Sequence, residues 1–178
     1  MPSGTIWASH NVGAKNPWEY GLYFSWGNIE GHLPGDGYSF SPQTHSNTLG
    51  YSLSSDIPYN SSTYDAVTAN MRHPWHIPSK EELEELVNYT DSIWISNYIG
   101  NISGRKFMKK TDHSTYIFIP AAGYINGVSF SNEGVWDLRY SRNLYNNTGC
   151  YRIDAGQNSI EVKTDPYRHY GFPCRGCR

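Results

Sequence analysis

With 14 basic and 16 acidic side chains in 178 residues, and the basic ones scattered without a stripe, the chain lacks the electrostatic footprint of a nucleic-acid binder and is long enough to bury a core without metal or disulfide staples. No apolar run reaches the length of a membrane span, and the opening MPSGTIWASHNVGA has neither the basic nor the apolar region of a signal peptide, so a soluble chain without membrane insertion is expected. Aromatic residues at 15%, with 15 Tyr, 17 Gly and 10 Pro against only 17% charged residues, predict one loop-rich domain over 1–178 built from short strands rather than a helical bundle.

In chain order, residues 1–30 carry Trp7, Trp18, Tyr20, Tyr23, Phe24 and Trp26 interrupted by Gly and Asn, which predicts short strands and turns with buried aromatic rings. Residues 31–62 are rich in Gly, Ser, Pro and Asn without apolar period and read as a long surface loop. His32, Asp36 and His45 lie in it as solvated side chains whose spacing matches no zinc pattern. Tyr64, Val67 and Met71 recur at helical spacing and predict a short helix over 63–73 started by Ser62 or Thr63.

Ser79 followed by Glu82 is a capping box, and Leu83, Leu86 and Val87 supply the apolar face of a second helix over 79–90. The acidic run Glu81, Glu82, Glu84 and Glu85 sits where the helix dipole favours negative charge, so it reads as a solvated face rather than an acid-base site. Beyond it, SIWISNYIGNISGRKFMKK and TYIFIPAAGYING alternate and end on turn residues, giving at least two strands.

The final third, 134–178, mixes apolar positions with side chains suited to recognition: Asp137, Arg139, Tyr140, Arg142, Tyr145, Asn146, Asn147, Arg152, Asp154, Tyr167, His169 and Tyr170. Tyr offers a large rigid contact at little rotamer entropy, and Arg and Asn add hydrogen bonds, the mix used by antibody paratopes. This predicts a ligand-binding region at 134–178. Three cysteines, Cys150, Cys174 and Cys177, leave an odd count, and no complete disulfide framework can be written. Cys174 and Cys177 form a C-x-x-C, but residues three apart on a strand point to opposite faces and a four-thiolate zinc site lacks its fourth member, so free thiols at a strand end are expected, with no metal and no cofactor.

PSGTIWASHNVGAKNPWEYGLYFSWGN, YDAVTANMRHPWHIPSKEELEEL, IFIPAAGYINGV and YGFPCRGCR together resemble the Fibrobacter succinogenes major paralogous domain of Bacteroidetes, which is similar to the formylglycine-generating-enzyme branch of the C-type lectin fold. The resemblance implies an α+β, C-type lectin-like fold, loop-rich, with two helices packed on short antiparallel strands. Where that family reads G-x-Y-W-S-S-T, this chain has Gly134 to Tyr140 as GVWDLRY, without the two serines. The departure resembles the variable protein of a diversity-generating retroelement, in which rewriting at adenines of AAC codons never yields Lys, Gln, Glu, Met or Trp. None of these occurs from Asp137 to Gly156 or from Thr164 to Arg178.

By the resemblance, Tyr151 and Ile153 point inward while Arg152 and Asp154 point outward, and Tyr167, His169 and Tyr170 vary beside constant Arg168, Gly171, Phe172 and Arg175. Strand alternation gives the same partition of the 151–154 stretch. Asp137, Arg139, Tyr140, Arg142, Tyr145, Asn146 and Asn147 complete the exposed face, so their replacement is expected to leave stability nearly unchanged. Truncating Trp136, Ile153 or Phe172 is expected to open a cavity. The function implied is a non-enzymatic binding module at a phage tail or bacterial cell surface, whose partner is a protein or glycan receptor, with no nucleic acid. Two other functions remain: a non-diversified surface or carbohydrate-binding domain, and a formylglycine-generating-type oxidase using a cysteine activated by Arg175. The Glu-Pro-Asn, Gln-Pro-Asp and Trp-Asn-Asp motifs of calcium-dependent sugar lectins are absent.

Overall fold

The computed structural model describes residues 1–178, and in it helix is confined to short pieces: α1 (Pro42–Ser46), a 3-10 turn at Leu49–Ser52, α2 (Ala66–Met71) and α3 (Lys80–Tyr89). The capping box at the start of α3 forms as the sequence predicts, the Ser79 hydroxyl accepting from the Glu82 amide at 3.1 Å and the Glu82 carboxylate accepting from the Ser79 amide at 2.7 Å. Its buried stripe is Leu83 and Leu86. α2 is capped by Asp65 instead of Ser62 or Thr63: one carboxylate oxygen accepts from the amides of Val67 and Thr68, each at 2.9 Å, and the other from Ile77 at 2.9 Å. A carboxylate that is 0% exposed is tolerated there because three backbone donors replace its water.

α1 was not expected, and with it residues 31–62 cease to be a free loop. Ser41 and Thr44 make a reciprocal capping box with Pro42 in the first turn, and Phe40, His45, Gly50 and Ile57 are buried. The segment is held by close backbone contact: Gly27 has φ +75°, and a Cβ on Gly50 would lie 2.5 Å from the Gly27 carbonyl carbon.

Ten strands form four antiparallel sheets. β1 (Tyr23–Phe24) pairs with β10 (Phe172–Pro173), which brings the two ends of the chain together. β2 (Thr90–Ile95), β3 (Gly104–Lys109) and β4 (Asp112–Pro120) make one sheet, and β5 (Tyr124–Asn126) pairs with β6 (Ser129–Ser131). β7 (Asp137–Leu144), β8 (Cys150–Ala155) and β9 (Ile160–Asp165) make the second three-stranded sheet, in that order. The main core joins Val12, Phe24 and Trp26 to Ile57, Val67 and Ile77 and to Leu138, Tyr140, Cys150 and Phe172. The result is a mixed α/β, sheet-rich fold with few helices, three α-helices rather than the expected two.

β7 is covered on both faces, which overturns part of the expected exposed surface. Leu138 and Tyr140 point into the main core. Alternation turns Asp137 and Arg139 to the other face, where Arg139 donates to Asn11 Oδ1 at 2.8 Å and pairs with Asp137 at 2.6 Å beneath the N-terminal segment. Asp137, Arg139 and Tyr140 are 0%, 2% and 3% exposed, so they belong to the scaffold.

Candidate functional site

On β8 Ile153 is buried as expected, but Tyr151 is only half-buried, and the face that bears Arg152 and Asp154 is the floor of a recess and not open surface. Cross-strand partners explain this: Leu138 lies opposite Asp154 and Tyr140 opposite Arg152, so the charged pair continues an apolar floor. Arg152 grips Asp154 in a bidentate pair, Nε to Oδ1 at 2.6 Å and Nη2 to Oδ2 at 3.1 Å, and also pairs with Asp165. Lys163 reaches Asp154 at 2.6 Å, and the Arg152 guanidinium lies 5.5 Å from the Phe172 ring centroid. Asp154, expected outward, is 4% exposed.

Burial opposes the charge on Arg152, yet its two carboxylate partners outweigh that cost and hold its pKa above the usual value. Burial likewise pushes the Asp165 carboxyl up, against the pull of Arg152 and of the Tyr167 amide. Over this floor stand Tyr124, Trp136, Tyr167 and Tyr170, enclosing about 280 Å³. The recess therefore offers flat apolar faces around a fixed set of donors and acceptors, the arrangement by which small polar ligands are oriented.

Tyr167 and Pro166 form the ridge between this recess and a wider groove of about 650 Å³, whose other walls are Pro42, His45, Tyr51 to Ser54, Asn147, Arg168 and His169. Asn147 and Ser54 in turn border a shallower depression of about 620 Å³ with Arg142, Tyr145 and Asn146. The three are continuous through shared side chains. They gather every expected binding residue except Asp137, Arg139 and Tyr140.

The tract is braced from beneath. The Tyr140 hydroxyl lies 3.0 Å from the carbonyls of both Tyr167 and Tyr170 and fixes the loop that carries them. Arg168 donates to the carbonyls of Leu53, Tyr51 and Asn147 at 3.0 to 3.1 Å, stacked 5.1 Å from the Trp26 ring, and so clamps the 51–53 and 147 segments together. Asn146, although exposed, accepts from the amides of Thr148 and Gly149 at 2.9 and 2.7 Å and shapes the turn between β7 and β8. Tyr145, Asn147, Tyr167 and His169 are the members whose side chains face the tract with no comparable bracing role.

The contribution of residues 42–58 is hidden in the sequence, because their polar composition reads as solvation. The available signal was Ser41-Pro42-x-Thr44, a capping box with proline at the first helical position.

Cysteine chemistry finds no support in the geometry. Cys150, Cys174 and Cys177 are all free and buried. Burial pushes the Cys174 thiol up to about 12, and those of Cys150 and Cys177 are also raised, whereas a nucleophilic cysteine needs a lowered pKa. Arg175, next in sequence, turns its guanidinium to Asn11 Oδ1 at 2.8 Å and to the carbonyls of Ala8 and Ser9 at 3.2 and 2.9 Å. No protein-family model matches the chain, and neither a curated protein nor a solved structure is recognisably similar to it. The motif resemblance thus rests on the quoted residues alone.

Proposed function

We propose that the chain is a recognition module of C-type lectin-like, formylglycine-generating-enzyme type, which binds a protein or glycan receptor at a phage tail or bacterial cell surface through the tract around Tyr167. The observation that carries the reading is the continuity of the three depressions, since residues selected from the sequence for their binding chemistry converge on one surface. Aromatic rings at Tyr124, Trp136, Tyr167 and Tyr170 supply contact area, and the Arg152, Asp154 and Asp165 cluster supplies oriented hydrogen bonding.

In this reading the scaffold is Asp137, Arg139, Tyr140, Arg168 and Arg175, and the exchangeable positions are Tyr145, Asn147, Tyr167 and His169. Diversification by a retroelement is the source of variation we favour. The absence of Lys, Gln, Glu, Met and Trp extends over buried Asp137, Leu138, Arg139 and Gly156 as well as exposed positions. A reverse-transcriptase gene beside this one, with a near-copy of its last third differing at adenines, is the expected genomic context, and its absence would return the chain to the non-diversified class.

The binding claim is tested by screening the immobilised protein against glycans and cell-surface proteins, then repeating with Tyr167→Ala and His169→Ala. A ligand of the tract should lose about 2 kcal/mol on the Tyr167 change, roughly thirtyfold in Kd, with folding intact. Equal binding by both variants would place recognition elsewhere.

A further inference from the structure

Away from the tract, three donor atoms of different kinds converge on one point, and none of their parent residues has a part in the proposed binding face. We propose that His76, Glu82 and Cys177 form a zinc-binding site that ties the chain end to the start of α3. No local spacing announces such a site, because the donors come from three separate segments and the C-x-x-C partner, Cys174, lies in the core instead.

Each donor is fixed by backbone. His76 and Cys177 are a hydrogen-bonded antiparallel pair, with the His76 amide 3.0 Å from the Cys177 carbonyl and the Cys177 amide 3.1 Å from the His76 carbonyl, which sets their side chains side by side. Glu82 is held by the capping box through Oε2, leaving Oε1 directed at His76. The spacing is that of a coordination shell. Nε2 of His76 lies 3.1 Å from Glu82 Oε1 and 3.4 Å from Cys177 Sγ, and all three ligand atoms fall within 4.8 Å of one another. Ligands bonded tetrahedrally to zinc at about 2.0 to 2.3 Å stand roughly 3.3 to 3.6 Å apart, so the two separations from the imidazole already match a shared ion, and the carboxylate and sulfur, within 4.8 Å of each other, would draw together by up to about 1 Å as the ion enters.

The outer partner of the imidazole also fits. Nδ1 of His76 is 3.2 Å from the Pro74 carbonyl and donates to it, the usual support for a metal-bound histidine; Nε2, which donates to Glu82 in the metal-free chain, would give up its proton and turn its lone pair to the ion. His76 and Cys177 are nearly sealed, while the Glu82 side chain is 24% exposed, which leaves one side for a water as fourth ligand. One thiolate, one imidazole and one carboxylate is a donor set suited to zinc and ill-suited to calcium or magnesium. Binding would release two protons to solvent, one from the Cys177 thiol and one from His76 Nε2, so affinity should fall with decreasing pH.

The test is cobalt and zinc titration of chelator-treated protein, read by absorption and thermal melting. The expected result is one equivalent of cobalt with a thiolate-to-cobalt charge-transfer band, displaced by zinc, and a Tm that rises with zinc. Cys177→Ser should abolish the band, and Glu82→Gln, which preserves the capping box, should weaken cobalt binding in a variant that circular dichroism shows to be folded. No band in the wild-type protein, an unchanged band in Cys177→Ser, or a Tm indifferent to zinc would overturn the site and leave His76 and Glu82 as an ordinary hydrogen-bonded pair.

Discussion

Arg139 and Asp137 face each other without solvent, and the buried carboxylate is tolerable because Arg139, with Arg175, compensates it. Burial pushes the Asp137 carboxyl up while Arg139 and Arg175 pull it down, so removing one arginine leaves an uncompensated buried charge. Arg139→Ala is therefore expected to cost about 3 to 5 kcal/mol in denaturant unfolding, where an exposed substitution such as Asn147→Ala should stay within about 0.5 kcal/mol. Tyr140→Phe removes the hydroxyl that holds the Tyr167 and Tyr170 carbonyls and should cost about 1 kcal/mol of stability, together with faster amide exchange in the 166–170 loop. At this scale the sequence was legible in type but not in place. Tyr, Arg and Asp were recognised as a polar set, yet alternation along β7 could not reveal that both of its faces are covered, one by the main core and one by Asn11 and its neighbours.

Among the elements, the bounds, cap and apolar stripe of α3 are readable because they are local, although Glu82 and Glu85, expected on a solvated face, are half-buried against His76 and Ser3; α2 is readable in existence, but it starts at Ala66 rather than at 63, which leaves Tyr64 outside it. The segment 31–62 was not, since what orders it is contact with residues distant in sequence. The Gly27 and Gly50 backbones touch, so Gly50→Ala forces them apart and should destabilise by roughly 1 to 3 kcal/mol, seen as a lower denaturation midpoint with an unchanged slope.

His45 gives the same segment a pH dependence. Burial, with help from the positive charge of Arg168 and His169, lowers its pKa from the ordinary 6.5 to about 4. The folded protein thus binds this proton less readily than the unfolded chain, and the stability from neutral His45 is present above pH 6.5 and lost as pH falls through about 4, by at most roughly 3 kcal/mol. Melting curves across that window should fall more steeply for the wild-type chain than for His45→Gln. Parallel curves would place His45 in contact with water.

For the molecule as a whole, the coarse class was legible, because scarce helix signals and frequent turn residues already exclude a bundle. A circular dichroism spectrum dominated by strand and irregular structure should confirm this, and no helix is long and apolar enough to cross a membrane. Strand order and the pairing of β1 with β10 were out of reach, as they join residues about 150 positions apart through contacts that no local pattern encodes. The candidate site was legible to the extent that its aromatic and polar residues cluster in the last third. Its second wall, from Pro42 to Pro58, comes from the part of the chain that looked least structured.

The central claim is a division between a face that can change and a scaffold that cannot, and protease resistance of a displayed substitution library measures it most directly. Each of Tyr145, Asn147, Tyr167 and His169, and each of Asp137, Arg139, Tyr140 and Ile153, would be replaced by Ser, Asn, Asp, Tyr and Arg wherever that differs from the native residue. The first group should keep nearly native resistance with every replacement, while the second should lose it with almost all. Equal sensitivity in the two groups would show that the tract is itself part of the scaffold, and would contradict the account.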